Sequence, residues 1–425
     1  PSSVITSKGV GFLAAAVVLF LLARLTQVGW LYLMDAVLWG MIALAAALPW
    51  LGIAFLAAHR RVESPPSQRS SIGPAEGEPV QISVRLRNRA PWPSYVLGLS
   101  YDCPVAAPGR RLLRFFVTHV ARSGQVAMVS TVEAYQRGMH HLGPVVAESS
   151  APFGLFRRRK RLTASHPVLV YPKVHALERF SFADGLSGTP PHTRKSRTGA
   201  DPVGSRQYIF GDPRRLIHWR NTAKVGRLMV KELEDPVDRT LYLVFDATRV
   251  WGEGRETTLE YGIKVVASVA HYAHRNQMPV RVLGGGLGAA EGRPARDRPW
   301  HTSVPEHRLL KELAMVALGD GLGLAETLAH VPAGASALVA VSPADRPAMQ
   351  AIARTSPMLH RLTVVSLEGF GEPEPGGEDL GALRAAKIPV VRCRPGGIRE
   401  ALQSLETAEG VSLSAAGPPG KGPHR

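Results

Sequence analysis

The chain has 425 residues, enough for two or three domains that each bury a core. It carries 51 Lys and Arg against 34 Asp and Glu, a formal net charge of +17 that favours anionic partners, whether lipid headgroups or nucleic acid. The two cysteines, Cys103 and Cys393, are far apart and have no metal-site spacing. This usage excludes a disulfide framework and fits a reducing compartment.

Two apolar runs near the N-terminus predict a hairpin of two membrane-spanning helices within residues 1–61. The first run extends from Gly9 to Ala23, and the second from about Ala36 to Ala58, interrupted by Pro49. Because about 20 residues of helix cross a bilayer, the second run is long enough, whereas the first needs Arg24 to snorkel or the helix to extend further. A cleavable signal peptide is the alternative for the first run, but no small-x-small cleavage site follows it.

The charges that flank this hairpin predict its orientation. Lys8 precedes the first run, and His59, Arg60 and Arg61 follow the second. Under the positive-inside rule both ends of the hairpin then face the cytoplasm. We therefore expect a multi-pass protein of the cell (inner) membrane, with the bulk of the chain cytoplasmic.

Short β-rich runs after the hairpin predict a small β-sandwich over residues 62–173. A Ser-, Pro- and Gly-rich linker comes first, and then Val80–Leu86 alternates apolar and polar residues as a half-buried strand does. The further predicted strands are Tyr95–Leu99, Leu112–Val117, Val126–Val132, Val145–Ala147 and Pro167–Tyr171. No convincing amphipathic helix interrupts them, which favours a sandwich.

Five consecutive cations, Arg157, Arg158, Arg159, Lys160 and Arg161, lie inside this predicted domain. A solvated hairpin tip is one interpretation of such a run. Contact with anionic lipid is the second, because a membrane-anchored domain holds the run near the headgroups, where each cation contributes about 1 kcal/mol. Nucleic acid is the third and weakest, since no nucleic-acid-binding motif accompanies the charge.

Residues 174–236 form a polar loop followed by the part of the chain that an ordinary core explains least, Arg206–Glu232, here called the signature segment. A turn at Gly211, Asp212 and Pro213 opens its central part. Cations interleaved with one aromatic residue follow: Arg214, Arg215, His218, Trp219, Arg220 and Lys224.

Two interpretations of the signature segment remain open. Together with Asp212, its cations form an anion-binding or protein-docking face on which Trp219 is the rigid anchor. Alternatively, the cations form a solvated helix face, Trp219 and Ile217 pack onto the following domain, and Asp212 pairs with Arg215. A helix that buries one side and presents the other satisfies both.

The order of these residues resembles the bacterial family called domain of unknown function 58, or DUF58. In that family a Gly-Asp turn precedes an Arg-x-Ile-x-Trp core and an Ala-Lys/Arg pair. The matching residues here are Tyr208, Gly211, Asp212, Arg215, Ile217, Trp219, Ala223, Lys224, Leu228, Met229, Val230 and Glu232. Upstream, Arg137-Gly138 and Pro152–Phe156 also resemble the family, although Ala151 stands where the family usually has Asp.

Alternating strand and helix patterns over residues 237–406 predict a doubly wound α/β domain. Thr240–Phe245 is a near-continuous apolar run that ends at Asp246, as a strand buried on both faces does. Later predicted strands and helices alternate to residue 405, with Ser342-Pro343-Ala344-Asp345 as a candidate helix cap. Residues 407–425 are small and polar, which predicts a disordered tail.

The end of the first strand of this domain resembles the metal site of von Willebrand factor A domains, which use Asp-x-Ser-x-Ser there. Asp246 and Thr248 supply two oxygen ligands of the kind that Mg²⁺ prefers, whereas Val250 supplies none. Ser342 or Asp345 is a candidate outer group. We therefore expect a degenerate site, at which Asp246 caps the following loop rather than binding Mg²⁺.

The resemblance implies a membrane-anchored, non-catalytic adaptor with no cofactor. Similar proteins tend to be encoded beside MoxR-type AAA+ ATPases and transglutaminase-like membrane proteins, so the α/β domain is expected to bind such an ATPase. The alternatives are a hydrolase or nucleic-acid-acting enzyme that uses Asp212 and His218, or an anionic lipid-binding module. The sequence contains no Gly-x-Ser-x-Gly, phosphate-loop or His-Glu-x-x-His motif, which disfavours catalysis.

Overall fold

The fold is that of a computed structural model, which describes residues 2–63, 73–180, 195–196, 201–209, 212–234, 240–285, 300–301, 305–319, 321–371, 381, 383, 385–386 and 388–407. The chain divides into two compact units, residues 1–172 and 173–425. Apart from Thr407, which ends a helix, the predicted tail lies outside the described residues.

The N-terminal unit contains two long apolar helices, α1 (Ser7–Thr26) and α2 (Gly29–Ala54), each long and apolar enough to cross a membrane. Thr6 caps α1 by accepting a hydrogen bond from the Gly9 amide at 3.1 Å. The second helix begins seven residues before the predicted position at Ala36, and therefore includes Asp35. Its end at Ala54 precedes the predicted end, because the chain already turns into a strand at Leu56.

The rest of this unit is rich in sheet. Its strands are β1 (Ser2–Ile5), β2 (Leu56–Glu63), β3 (Pro79–Asn88), β4 (Ser94–Asp102), β5 (Leu112–Val120), β6 (Gln125–Glu133), β7 (Gly138–Leu142), β8 (Val146–Ser149), β9 (Phe156–Arg161) and β10 (His166–Val170). They form a five-stranded sheet in the order β1-β9-β8-β4-β5, a three-stranded sheet β2-β3-β6 and a pair β10-β7. One buried apolar cluster draws residues from all three sheets.

The second unit has the remaining strands and helices. The strands are β11 (Lys195–Ser196), β12 (Asp201–Gln207), β13 (Met229–Glu234), β14 (Leu241–Phe245), β15 (Gly252–Glu253), β16 (Glu256–Thr257), β17 (Val280–Leu283), β18 (Trp300–His301), β19 (Ser336–Val341), β20 (Arg361–Leu367) and β21 (Val390–Cys393). The helices are α3 (Trp219–Val225), α4 (Thr258–Arg275), α5 (Glu306–Met315), α6 (Leu324–Leu328), α7 (Arg346–Thr355) and α8 (Ile398–Thr407).

A six-stranded sheet in the order β18-β17-β14-β19-β20-β21 forms the centre of this unit. All pairs are parallel except β17 with the edge strand β18. Every residue of β14 and β19 is buried, as expected for central strands of a parallel sheet. After β14 the chain adds β17 and β18 on one side of this strand. It then crosses back and adds β19, β20 and β21 on the other side. This reversal makes the carboxyl ends of β14 and β19 the place where α/β sheets bind ligands.

Candidate functional site

The signature segment folds as a hairpin of β12 and β13. The residues that connect the two strands include α3 instead of forming a tight turn, and this connection is here called the excursion. The two strands pair in register from Arg206 opposite Val230 to Gln207 opposite Met229. The Tyr208 amide then donates to the Leu228 carbonyl at 2.8 Å, which closes the base of the excursion. Backbone pairing thus fixes both ends of the segment that carries the predicted site residues.

A bidentate ion pair secures the first turn of this excursion. Arg206 Nη1 and Nη2 donate to Asp212 Oδ2 and Oδ1 at 2.7 and 2.6 Å, and the Ile209 amide donates to Oδ2 at 3.0 Å. The Asp212 side chain is 3% exposed. Arg206 thus takes the place that one of the two open interpretations gave to Arg215. Arg215 lies in a short 3-10 turn with its side chain exposed.

The helix α3 is held by its own polar residues. His218 is its N-cap, and Nδ1 accepts from the Asn221 amide at 3.2 Å, so the neutral ring carries its proton on Nε2. Asn221 Nδ2 donates to Ser205 Oγ at 2.7 Å, and the Met229 amide donates to Thr222 Oγ1 at 3.0 Å. These bonds tie α3 to both strands of the hairpin. Asp212 and His218 are therefore engaged in local structure.

An exposed surface remains on this rigid support, here called the signature face. Trp219 is 68% exposed, and the apolar residues Ile209, Val225 and Leu228 are 65%, 58% and 45% exposed. The cations on the same short excursion are exposed as well: Arg214, Arg215, Arg220, Lys224 and Arg227. Ile217 is buried, as one of the two open interpretations expected, but Trp219, which that interpretation also packed inward, is exposed. The exposed Trp219 fits the alternative interpretation, that of a docking anchor.

The second predicted site lies at the carboxyl ends of β14 and β19. Thr248 donates to Asp246 Oδ1 through both its amide and its Oγ1, each at 2.7 Å. Asp246 therefore caps the loop that follows it, which is the role expected for a degenerate site. The same cleft is also lined by Arg249, Ser342 and Asp345.

Asp345 connects this cleft to α7. Its Oδ1 caps the helix by accepting from the Ala348 amide at 3.3 Å and also accepts from Arg249 Nη1 at 3.1 Å. Burial raises the pKa of the Asp345 carboxyl above its ordinary value; the Ala348 amide and Arg249 oppose this rise, and the neighbouring Asp246 adds to it. The fold thus places the candidate outer group, Asp345, beside Asp246.

The donor set at this cleft does not fit the Mg²⁺ site of the resemblance. Val250 offers no ligand atom, and the Arg249 guanidinium is already paired with one of the two carboxylates. Ser342 Oγ accepts from the Ala344 amide at 3.3 Å. Within the described part of the chain, no group of three or more His, Cys, Asp or Glu side chains is arranged to hold a metal ion.

The five cations predicted to meet a membrane surface form strand β9, which lies between β1 and β8 in the sheet. The hairpin-tip interpretation was therefore wrong. Arg157 and Arg159 project to one side and pair with Glu148 at 3.0 and 2.6 Å. Arg158 lies over the Trp50 ring at 5.6 Å from its centroid, and Lys160 Nζ donates to the Ala54 carbonyl at 2.5 Å. Alternate residues of the run thus have different partners: one pair contacts Glu148 and the other contacts the end of α2.

Arg206 and Arg249 were missed as site residues, although both have a sequence signal. Arg206 begins the signature segment six positions before Asp212, and Arg249 stands between Thr248 and Val250. The sequence does not reveal either partner. Arg206 meets Asp212 only because of the conformation of the hairpin connection, and Arg249 meets Asp345, which lies 96 residues away along the chain.

Comparison with known proteins supports part of the resemblance. The model of the family described as "Protein of unknown function DUF58" matches residues 204–342. The uncharacterized protein YeaD of Bacillus subtilis (strain 168) is 26% identical over 217 residues, which cover 47% of this chain and 50% of that protein. The chain thus spans about half the length of this curated relative.

Solved structures give only weak likenesses. Red sea bream transglutaminase matches with a TM-score of 0.19 at 18% identity, over 27% of this chain and 15% of that one. The alkylpurine DNA glycosylase AlkC of Pseudomonas fluorescens matches with a TM-score of 0.18 at 16% identity, over 32% and 38% of the two chains. Neither fold nor function is inferred from them. Over residues 204–342, which include the signature segment, the chain is similar to the family of unknown function DUF58.

Proposed function

We propose that the protein is a membrane-anchored, non-catalytic adaptor whose second unit binds a protein partner through the signature face. The exposure of Trp219 carries this proposal. Trp219 is 68% exposed and therefore presents a large apolar surface to water. It lies on α3, which hydrogen bonds fix to both strands of the hairpin. Rigid aromatic anchors surrounded by Arg are typical of the residues that dominate protein interfaces.

The charge of the signature face suggests the chemistry of the partner. Its cations are exposed, and the whole chain carries a formal charge of +17. An acidic partner surface would complement them and speed association. A MoxR-type AAA+ ATPase in an envelope-associated complex, with a transglutaminase-like membrane protein as a further member, is the partner that the family resemblance suggests.

The apolar helices support the anchoring part of the proposal. Large apolar side chains on both helices face outward, with Leu25, Leu33 and Val37 at 81%, 70% and 73% exposure. A core helix of a soluble domain would bury such residues, whereas lipid-facing helices expose them. We propose a two-span hairpin in the cell membrane with the rest of the chain in the cytoplasm.

The arrangement of the six-stranded sheet supports a von Willebrand A-like identity for the α/β domain. Its strand order places Asp246, Arg249 and Asp345 at the point where the chain reverses direction. We propose that this is a degenerate metal site, in which the Arg249 guanidinium supplies the positive charge in place of Mg²⁺. The domain then acts as a binding module that requires no cofactor.

The enzymatic alternative would use Asp212 and His218. In the structure, both carboxylate oxygens of Asp212 accept hydrogen bonds from Arg206, and His218 Nδ1 caps α3. A general base needs a free lone pair within reach of substrate. These engagements favour structural roles and support the adaptor proposal.

Affinity purification of the full-length protein from mild detergent tests the proposal. We expect an acidic partner to co-purify in stoichiometric amount, with retention that depends on nucleotide if it is an ATPase. Reproducible turnover of a substrate by the purified protein, abolished by Asp212→Asn, would instead establish the enzymatic alternative.

A further inference from the structure

The foot of α2, where this helix meets the sheets of the N-terminal unit, has an arrangement that anchoring alone does not require. Several side chains of the sheet unit bind its last carbonyl groups. Trp92 Nε1 donates to the Leu51 carbonyl at 3.3 Å, and Ser94 Oγ donates to the Gly52 carbonyl at 2.9 Å. Lys160 Nζ donates to the carbonyls of Ala54 and Leu56 at 2.5 and 3.2 Å. The helix end is thus fixed to the sheets.

Of the three exposed tryptophans on α2, Trp39 lies in the middle of the helix, and the two near its ends indicate the depth of this foot in a bilayer. Trp30 and Trp50 are 59% and 47% exposed. The stretch between them spans about 30 Å at 1.5 Å per residue, which equals the hydrocarbon thickness of a bilayer. Tryptophan concentrates at both membrane interfaces. Trp50 then marks one boundary, and the residues that follow it enter the headgroup layer.

Three cations converge at that level. Arg158 lies over the Trp50 ring, and Lys160 caps the helix end. The backbone amide of Arg89 donates to the Phe55 carbonyl at 3.1 Å, so Arg89 is attached to the same helix end. Burial lowers the pKa of the Lys160 ammonium, and the nearby charges of Arg158 and Arg89 lower it further. Among the described residues, no carboxylate forms an ion pair with any of the three. Three like charges gathered without an acid indicate a site for an anion.

Exposed aromatic rings lie at the same helix ends. Phe55 and Trp92 pack edge to face, with ring centroids 5.5 Å apart, and remain 45% and 36% exposed. Phe153, in the loop that precedes β9, is 41% exposed. In the same loop, the Leu155 carbonyl accepts from the Thr6 amide at the start of α1, so this loop also lies at the helix ends. Amphipathic rings beside cations are typical of surfaces that enter a headgroup layer.

We propose that Arg89, Arg158 and Lys160 bind the phosphate of an anionic phospholipid headgroup, with the surrounding aromatic rings seated among the neighbouring lipids. The site differs from the cation run that the sequence suggested. Arg157 and Arg159 both form ion pairs with Glu148, whereas Arg89 comes from a distant part of the chain. The proposal rests on the membrane anchoring proposed above.

Lipid uptake by the full-length protein in detergent tests this site. The protein is offered equal amounts of phosphatidylglycerol and phosphatidylcholine, and the retained lipids are counted by native mass spectrometry. We expect the wild type to retain phosphatidylglycerol preferentially. Arg89→Gln and Arg158→Gln should each weaken retention by about five-fold, the effect of about 1 kcal/mol per cation at a membrane surface.

Arg157→Gln and Arg159→Gln are the matched controls, since they remove the same charge from the same strand and should leave retention unchanged. Arg89 is exposed, so its substitution does not threaten the fold. Equal uptake of both lipids, or an equal loss in the controls, would overturn the site. Displacement of the lipid by millimolar inorganic phosphate would show that the site binds free phosphate and not a lipid headgroup. Release of the protein from membranes by alkaline carbonate would instead refute the anchoring itself.

Discussion

Arg206 and Asp212 form a bidentate ion pair, with nitrogen–oxygen distances of 2.7 and 2.6 Å, at the base of the signature segment. The carboxylate of this pair is buried, since the Asp212 side chain is only 3% exposed. A single such pair positions the first turn of the excursion, and the exposed α3 begins seven residues after Asp212. The conformation of the signature face therefore depends on a residue pair that is not part of it.

Asp212→Asn should loosen this turn. The amide keeps the volume of the side chain but loses the charge-assisted bonds, a cost of about 1–3 kcal/mol. Hydrogen exchange at the Ile209 amide, which donates to Asp212, measures the change locally. We expect exchange to accelerate by ten-fold or more, on the order of the free energy lost.

Arg206→Gln should produce a similar acceleration, and the double variant should add little to either single one, because both changes break the same interaction. Arg215→Gln is the matched control, since Arg215 is exposed. If Arg215→Gln accelerated exchange as much as Arg206→Gln, the assignment of the ion pair would be wrong.

The stability of α7 should depend on pH through Asp345. Its native pKa is raised above 3.8, so the folded state retains a proton that the unfolded chain has already released. The free energy of unfolding must then fall as pH rises from about 3.8 through the native pKa. Asp345→Asn keeps a helix-capping side chain but cannot ionise, so hydrogen exchange of α7 should lose this pH dependence.

Arg249→Gln should shift the same dependence in a definite direction. The guanidinium lowers the pKa of Asp345, so its removal raises that pKa further. The fall in α7 stability should therefore extend to higher pH than in the wild type. A shift towards lower pH would show that Arg249 does not stabilise the ionised carboxylate.

Divalent ions should bind the cleft only after two changes. Arg249→Gln removes a competing positive charge, and Val250→Ser adds the missing hydroxyl ligand. We expect the double variant to bind Mn²⁺ at least about ten-fold more tightly than the wild type, as measured by paramagnetic relaxation of water. Comparable binding by the wild type would contradict the proposal that Arg249 replaces the metal.

Arg60 should be required for the stability of the N-terminal unit. Its side chain is buried and donates to the carbonyls of Gly143 and Leu142 at 2.7 and 3.3 Å, while its guanidinium lies 5.6 Å from the Tyr101 ring centroid. Arg60→Met removes those donors and should cost about 1–3 kcal/mol, seen as faster hydrogen exchange in β7. Arg61→Met, an exposed neighbour, should have little effect; an equal effect would refute the role of Arg60.

Local patterns predicted much of the fold. The period-two alternation at Val80–Leu86 became β3, and the apolar run ending at Asp246 became the central strand β14. The predicted capping stretch Ser342–Asp345 contains the residue that caps α7, Asp345. Each of these features depends on residues within a few positions of one another, which is why the sequence contains enough information.

Contacts between distant residues could not be predicted in the same way. Strand β1 precedes the first apolar helix and pairs with β9 more than 150 residues later, with Val4 opposite Arg157. The five cations read as one charged run, although the alternation of a strand directs Arg158 and Lys160 to the helix foot and Arg157 and Arg159 to Glu148. The same limit applies to the Arg206–Asp212 pair, whose geometry depends on the closure of the hairpin excursion.

The most direct test of the adaptor proposal compares Trp219→Ala with Phe116→Ala in the full-length protein. Both side chains are 68% exposed, so neither substitution should change stability, but only Trp219 belongs to the signature face. In quantitative co-purification, Trp219→Ala should weaken partner retention by 2 kcal/mol or more, about thirty-fold, while Phe116→Ala retains the partner as the wild type does. Equal retention by the wild type and both variants would contradict the account, because the partner would then bind elsewhere.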